Sequence, residues 1–445
     1  MSRATWTAWA LAMATALGPR AAEAVSLDRC LELARQHAPA LAQAEAEVTR
    51  AHGAIREAHA ARLPTLRFDA SYVQNSEIPV QAFDIPGLPP AQQHQVIKLG
   101  SALTLDAKAT GNYTVFSSGL DPARVHAAEA GERAQMSARE QADADLALRV
   151  SQAYYQELGY ARLVLAANEA LTSATSHLRV SRARVNAGVS PKLDALRAEV
   201  DASAREVTLA QVEEQRRLAR ADLEAAMGVT LAPGDTLDAP SMPSDGAPDS
   251  AQALAQALAA RPEIANLGHQ IEQAHQQAVA AHAARLPQVN LSGTAEYRGP
   301  NKNDVFWDVN NPGLKTYNLF AGVAMSLPIF DGGLSGARVA QFEAQQAALE
   351  ARRQSQMLQV QRELAGAFSD LRVANVRWRT TEARLRSASE AVRLAEETYK
   401  GGTGTATDVL DAVTDLADAR AQEAQALMGY WLARAELNHA MGKER

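Results

Sequence analysis

The chain has 445 residues, enough for two ordinary domains or one elongated repeat protein. Hydrophobic residues make up 47% but aromatics only 5%, and alanine supplies much of the apolar share, which suits close-packed helices better than a thick globular core. A formal net charge of −7 does not argue for nucleic acid, and a single cysteine, Cys30, excludes an intrachain disulfide.

Residues 1–24 read as a secretory signal peptide. Arg3 gives a basic start, Trp6 to Leu17 is apolar, and Ala22-Glu-Ala24 is a small-x-small cleavage site, with the cut expected after Ala24. A membrane anchor is the alternative, but the run is shorter than the ~20 residues that span a bilayer. Cys30 follows Leu27-Asp28-Arg29 instead of standing directly behind the apolar run. That argues against lipidation and for a small apolar residue early in a helix. No later apolar run is long enough for a transmembrane helix, so a membrane role has to come from strands.

Residues 26–62 carry helical spacing, with Ser26 as a cap and a break near His37 before Pro39. After Arg62-Leu-Pro-Thr-Leu66 the period drops to two. Leu66, Phe68, Ala70 and Tyr72 alternate with Arg67, Asp69 and Ser71, which marks a strand with one apolar and one polar face. Residues 79–95, rich in Pro, Gly and Gln, read as a loop. Alternation resumes with Leu103, Leu105, Ala107 and Ala109 against Thr104, Asp106, Lys108 and Thr110. A helix is expected to start at Asp121-Pro122 and to run to Asn186 without a proline, on the order of 100 Å at 1.5 Å per residue. The chain turns at Gly188, returns to Met227-Gly228, and enters a Pro/Gly/Asp/Ser-rich linker over 229–250.

The second half repeats the first. Arg285-Leu-Pro-Gln-Val289 answers Arg62-Leu-Pro-Thr-Leu66 at an offset of 223, and Ile329-Phe-Asp-Gly-Gly333 answers Val115-Phe-Ser-Ser-Gly119 at 214. Strands are expected around 289–297 and 317–329. The second turn, Tyr399-Lys-Gly-Gly-Thr-Gly-Thr-Ala-Thr-Asp-Val-Leu-Asp-Ala412, matches the first so that Gly402 answers Gly188 and Asp408 answers Asp194. Gly401, Gly402 and Gly404 can end a helix, and Thr405, Thr407 or Asp408 can cap the next one. Asp408 and Asp411 share a face of the returning helix. The expected organisation is a signal peptide (1–24), a first repeat (25–228), a linker (229–250) and a second repeat (251–445). The fold class is α+β, with four strands and two long helical hairpins. Four strands cannot close a membrane barrel, and an open edge in lipid leaves backbone groups unpaired, so several chains must share one barrel.

The ordered, duplicated set resembles the TolC family of outer-membrane efflux channels. The set comprises Leu27-Asp-Arg-Cys-Leu-Glu-Leu-Ala34, both Arg-Leu-Pro junctions, the Phe-x-x-Gly strand ends at Phe116 and Phe330, and the two turns. The resemblance covers nearly all of the chain after the signal. It implies a homotrimer with one 12-stranded barrel in the cell outer membrane, in contact with lipid, and a periplasmic helical tunnel. It implies a passive exit duct for an efflux or type I secretion system, engaged by a periplasmic adaptor and an inner-membrane transporter. Asp408 and Asp411 match aspartates that ring the periplasmic constriction, Tyr399 and Asp194 match partners in a link between tip helices, and Gly188, Gly402 and Gly404 fall where an adaptor docks. Gly404 stands where a better-studied member has a basic residue in a closing salt link. Helix capping remains an alternative reading of Asp408 and Asp411, and the two are compatible.

No catalytic set, zinc motif or nucleotide-binding signature occurs, so no enzyme activity, metal or cofactor is expected. His52 and His59 recur as His275 and His282, but seven residues of helix is about 10 Å, too far for one metal ion. A secreted structural or adhesive helical protein is the alternative function, and it leaves the strand pattern unexplained. Cargo remains open among drugs, metal ions, peptides and proteins.

Overall fold

The computed structural model describes residues 24–77, 80–84, 86–87, 89, 94–98, 103–232, 234–240, 249–299 and 316–443. Residues 1–23 of the expected signal peptide and residues 233 and 241–248 of the expected linker lie outside them. Strand β1 (Ala24–Val25) leads into α1 (Leu27–His37) and α2 (Pro39–Ala60). Strands β2 (Thr65–Gln74), β3 (Val80–Asp84), β4 (His94–Lys98) and β5 (Leu103–Phe116) follow. The first long hairpin is α3 (Leu120–Asn186) and α4 (Lys192–Met227), after which comes β6 (Thr236–Leu237). The second half holds α5 (Ser250–Ala260), α6 (Pro262–Ala283), β7 (Gln288–Gly299), β8 (Thr316–Ser326), α7 (Leu334–Lys400) and α8 (Ala406–Ala440). The boundaries repeat at the offsets read from the sequence. The start of β2 and both helices before it recur 223 residues later, and the long helices 214 later, to within one residue.

Local chemistry sets these boundaries. Ser26 Oγ accepts from the Arg29 N–H, and its counterpart Asp249 accepts from the Ala251 N–H, so both halves open on a capped helix. Pro39 and Pro262 break the early helices in the same place. The first long helix starts at Leu120, one residue before the expected cap. Asp121 lies inside the first turn, where its N–H donates to Ser117 Oγ at 3.3 Å, so Ser117 does the work expected of Asp121. Residues 79–95 are not wholly loop, because β3 and β4 pair there antiparallel with Val80 opposite Lys98. The last strand stops at Ser326, two residues before Pro328 removes a backbone donor.

The chain divides into two compact units, and neither follows the duplication. One comprises the described residues within 1–48, 135–266 and 352–445, and the other those within 49–134 and 267–351, so each draws on both halves. The first unit holds two cores related by the repeat. Cys30, Ala34, Leu146, Val150, Leu223 and Met227 are buried in one. Ala253, Ala257, Val360, Leu364, Leu437 and Met441, their counterparts at 223 and 214, are buried in the other. Cys30 is therefore a core residue, and burial pushes its thiol up to about 11. Gly228 (φ 72) and Gly442 (φ 68) end the returning helices where a side chain has no room. A Cβ on Gly228 meets the His37 carbonyl oxygen at 2.8 Å, and one on Gly442 meets Ala260 at 3.1 Å. Tyr154 ties the short parallel β1–β6 pair to this unit, donating to the Asp238 carbonyl at 2.7 Å.

The second unit carries the antiparallel sheet β2-β5-β7-β8. Its register brings Leu66, Phe68, Ala70 and Tyr72 opposite Gly111, Ala109, Ala107 and Leu105, and these opposite Gly293, Ala295, Tyr297 and Gly299. The row continues into Ala321, Leu319 and Tyr317, and Tyr297 packs on Tyr317 with ring centroids 5.1 Å apart. The other face is polar. Asp69, Lys108, Glu296 and Asn318 stand in one row across all four strands, with Ser71, Asp106 and Arg298 in the next. Arg298 Nε lies 2.8 Å from Asp106, and Arg67 Nε lies 2.8 Å from Asp69. Phe320 is a large apolar residue on this face, where its ring lies over Gly322 and within 2.7 Å of where a Cβ would stand.

Candidate functional site at the helical tips

Both tips are built from a helix that ends on a left-handed glycine. At the first, the Gly188 N–H donates to the Val185 carbonyl and the Val189 N–H to the Arg184 carbonyl, with Gly188 at φ 74. At the second, the Gly401 N–H donates to Glu397 and the Gly402 N–H to Tyr399, with Gly402 at φ 81. A glycine there closes the orphan carbonyls of the last turn without the steric penalty of a Cβ. Nothing lies within 4 Å of a Cβ on either glycine, so backbone strain alone restricts these positions.

Gly404 is restricted by packing. The N–H groups of Thr403 and Gly404 both donate to the Thr398 carbonyl at 3.0 Å, which folds the turn back on itself. A Cβ on Gly404 would stand 2.7 Å from Thr398 Oγ1 and 3.1 Å from the Tyr399 nitrogen. The turn as folded has no room for the basic side chain that the resemblance expects there.

The returning helices start differently. Helix α8 opens on a full capping box, in which the Asp408 N–H donates to Thr405 Oγ1 at 3.2 Å and the Thr405 N–H to Asp408 Oδ2 at 2.8 Å. These bonds hold the Asp408 carboxyl below its ordinary value. Helix α4 opens on Pro191, which makes no side-chain cap bond. Asp194, the counterpart of Asp408, uses its N–H on the Pro191 carbonyl at 3.1 Å. Among the described residues no hydrogen bond joins Asp194 to Tyr399. Tyr399 instead meets Arg184, whose guanidinium lies 4.2 Å from the ring centroid. Asp408 and Asp411 are both exposed and stand on one face of α8.

Sequence reasoning missed the Arg184–Tyr399 contact and His177. Burial lowers the pKa of His177, with Asp201, Asp194 and Glu396 opposing that shift. One turn of helix separates His177 from the buried Ser181. Of the repeated histidines, His52 lies 2.9 Å from Glu132. Among the described residues no group of acids, histidines and cysteines could hold a metal ion, and no helix is long and apolar enough to cross a membrane.

A sequence profile described as "Outer membrane efflux protein" matches residues 30–229 and 253–443. The outer membrane efflux protein BepC of Brucella suis biovar 1 (strain 1330) is 26% identical over 271 residues. That match covers 59% of this chain and spans 56% of the relative's length. The CmeC outer membrane channel of Campylobacter jejuni has a similar structure, with a TM-score of 0.77 at 17% identity, covering 94% of this chain and 86% of that one. The outer membrane protein VceC of Vibrio cholerae gives 0.73 at 22% identity, covering 94% and 96%. At these identities the structural likenesses carry the fold.

Proposed function

The chain belongs to the outer membrane efflux protein family, which places it in the outer membrane, and from that premise we propose that it is a passive exit duct gated at its helical tips. The observation that carries this reading is the sheet. Its apolar face carries widely exposed side chains, with Leu66 82% and Leu319 84% exposed, and among the described residues no core cluster covers it. Its opposite face is a ladder of charged and polar groups. A sheet with its apolar face uncovered and charges on the other is suited to lipid outside and water inside. Among the described residues, strands β2 and β8 end the sheet with unpaired edges, which lipid does not tolerate. Three copies joined edge to edge, β8 of one to β2 of the next, remove every edge and give 12 strands, the number the family resemblance implies.

In this trimer the polar rows of Arg67, Asp69, Asp106, Lys108 and Glu296 line the pore. Asp408 and Asp411 from each copy gather round the axis at the periplasmic entrance and attract cations. The capping box supports this role, because it keeps Asp408 ionised and its backbone position fixed. The turns at Gly188, Gly402 and Gly404 receive a periplasmic adaptor, which links the duct to an inner-membrane transporter. Tyr399 and Asp194 act at the contacts between tip helices, Tyr399 through the Arg184 guanidinium. The first repeat (25–228), linker (229–250) and second repeat (251–445) each carry one part of this duplicated plan.

Single-channel conductance in a planar bilayer tests the reading. Wild-type protein should give small, cation-selective steps blocked by multivalent cations. The Asp408→Asn/Asp411→Asn double variant should lose that block and much of the selectivity. Protein that remains outside the bilayer would support the structural or adhesive alternative, and unchanged selectivity in the double variant would remove the acids from the gate.

A further inference from the structure

Among α3, α7 and α8, in the unit that holds both tips, lies a cavity of about 450 Å³. That is within the size range of small-molecule sites. Its lining runs from Ala170 to Arg184 along α3 and from Val409 to Arg420 along α8. Fourteen residues of helix at 1.5 Å each make the slot roughly 20 Å long. It stays open because α3 presents Ala170, Ser173 and Ser176 to it, where larger apolar side chains would interdigitate and fill the seam. The facing wall is apolar, with Val392 from α7 and Val409, Val413 and Leu416 from α8.

The charged groups of the lining are matched except at one end. Arg420 pairs with Glu169 at 2.8 Å, and Lys400 with Glu396 at 3.2 Å. Arg184 has no carboxylate partner among the described residues. Its Nε is buried without a hydrogen bond, and its guanidinium is stacked 4.2 Å from the Tyr399 ring centroid. Stacking on an aromatic face fixes the plane of a guanidinium and leaves its edge for two parallel bonds to a carboxylate. His177, kept neutral by burial, adds a polar wall without a competing charge.

We propose that this slot binds a single-chain amphipathic carboxylate, with its head on Arg184 and its aliphatic tail along the valine wall. One narrow slot seats one chain, which favours a free fatty-acid-like molecule over a two-chain phospholipid. The site is separate from the acids on α8 and does not depend on the sheet conducting.

The test is a fluorescence titration of the full chain, held in nanodiscs of zwitterionic lipid, with dansyl-labelled undecanoic acid. Wild type should bind saturably at one site per chain. Arg184→Gln should weaken that binding about tenfold, and Ser176→Phe, which fills the slot, should abolish it. The methyl ester of the same probe should bind wild type about tenfold more weakly than the acid, and this arm needs no variant to fold. Adding phosphatidylglycerol to the disc should leave the affinity unchanged. Equal binding of acid and ester, or equal binding by all three proteins, would place the probe in lipid or on the apolar sheet and overturn the proposal. Displacement by phosphatidylglycerol would overturn the single-chain assignment.

Discussion

At the first tip the residue before the returning helix is Pro191, and at the second it is Thr405. The two positions answer each other in the duplication, as do Asp194 and Asp408 that follow three residues later. Thr405 has both an N–H and a hydroxyl, so Asp408 can close a reciprocal pair of bonds with it. Pro191 has neither, so Asp194 has nothing to grip at its own helix start. Its carboxylate acts on His177 instead, as one of three acids that oppose the lowering of the imidazole pKa. One duplicated acid thus serves its own backbone and the other serves the contact between helices. What separates them is the presence of a backbone N–H and a hydroxyl three residues upstream.

The largest expected effect breaks what the tips share. Gly188→Val and Gly402→Val each force a β-branched residue into the left-handed region, at a cost of about 1–2 kcal/mol. Hydrogen exchange of the neighbouring tip amides should accelerate by roughly tenfold in either variant. Crosslinking to the adaptor should fall in parallel. A response confined to one variant would mean that the two glycines are not equivalent.

A swap of caps sharpens the difference. Thr405→Pro removes the N–H that Asp408 holds and should speed exchange in the first turn of α8 by roughly five- to tenfold, the size of a lost cap. Pro191→Thr should do the reverse at α4, slowing exchange a few-fold by letting Asp194 close a box. If Pro191→Thr leaves α4 unchanged, the contrast lies in the surrounding packing and not in the cap.

Acid should distinguish the tips by the pH at which each loosens, the smallest of these effects. Burial holds the folded pKa of His177 below its ordinary 6.5. The unfolded tip therefore takes the proton first, and the stability His177 contributes is complete above about that pH and declines below it. Asp408 is likewise depressed, below an ordinary value of 3.8. Its cap is complete above that value and is lost only as pH falls through the lower folded one. Exchange measured from pH 7 to pH 3 should show residues near His177 loosening first and the start of α8 last. A His177→Gln variant that loosens over the same range would overturn the assignment of the first step.

Much of this was legible because it depends on local residue order. Period-two alternation located β2, β5, β7 and β8, and the register then placed every paired residue of the expected apolar row on one face. Prolines and glycines marked the breaks at Pro39, Gly188 and Gly402. The β3–β4 pair escaped because four prolines and a glycine punctuate residues 79–95, and β1 and β6 are two residues each, too short for any period. The Arg184–Tyr399 stack joins positions more than 200 residues apart, and no spacing rule connects them. The role of Pro191 was readable in principle, since proline cannot donate, but the match between Asp194 and Asp408 drew attention to the acids instead of to the residues that cap them.

The pairing of β5 with β7 has a consequence for how the molecule is made. Lys108 meets Glu296 across that seam, so the central pair of strands joins residues from opposite halves of the chain. During synthesis β2 and β5 emerge first and can form only a two-stranded ribbon with an apolar face, marginal by itself in water. Their third strand arrives after both helices of the first hairpin have been made. Contacts this distant in sequence form late, and until then the ribbon exposes a sticky surface and an open edge. The order of its own strands therefore leaves that ribbon without its partner until β7 has been made.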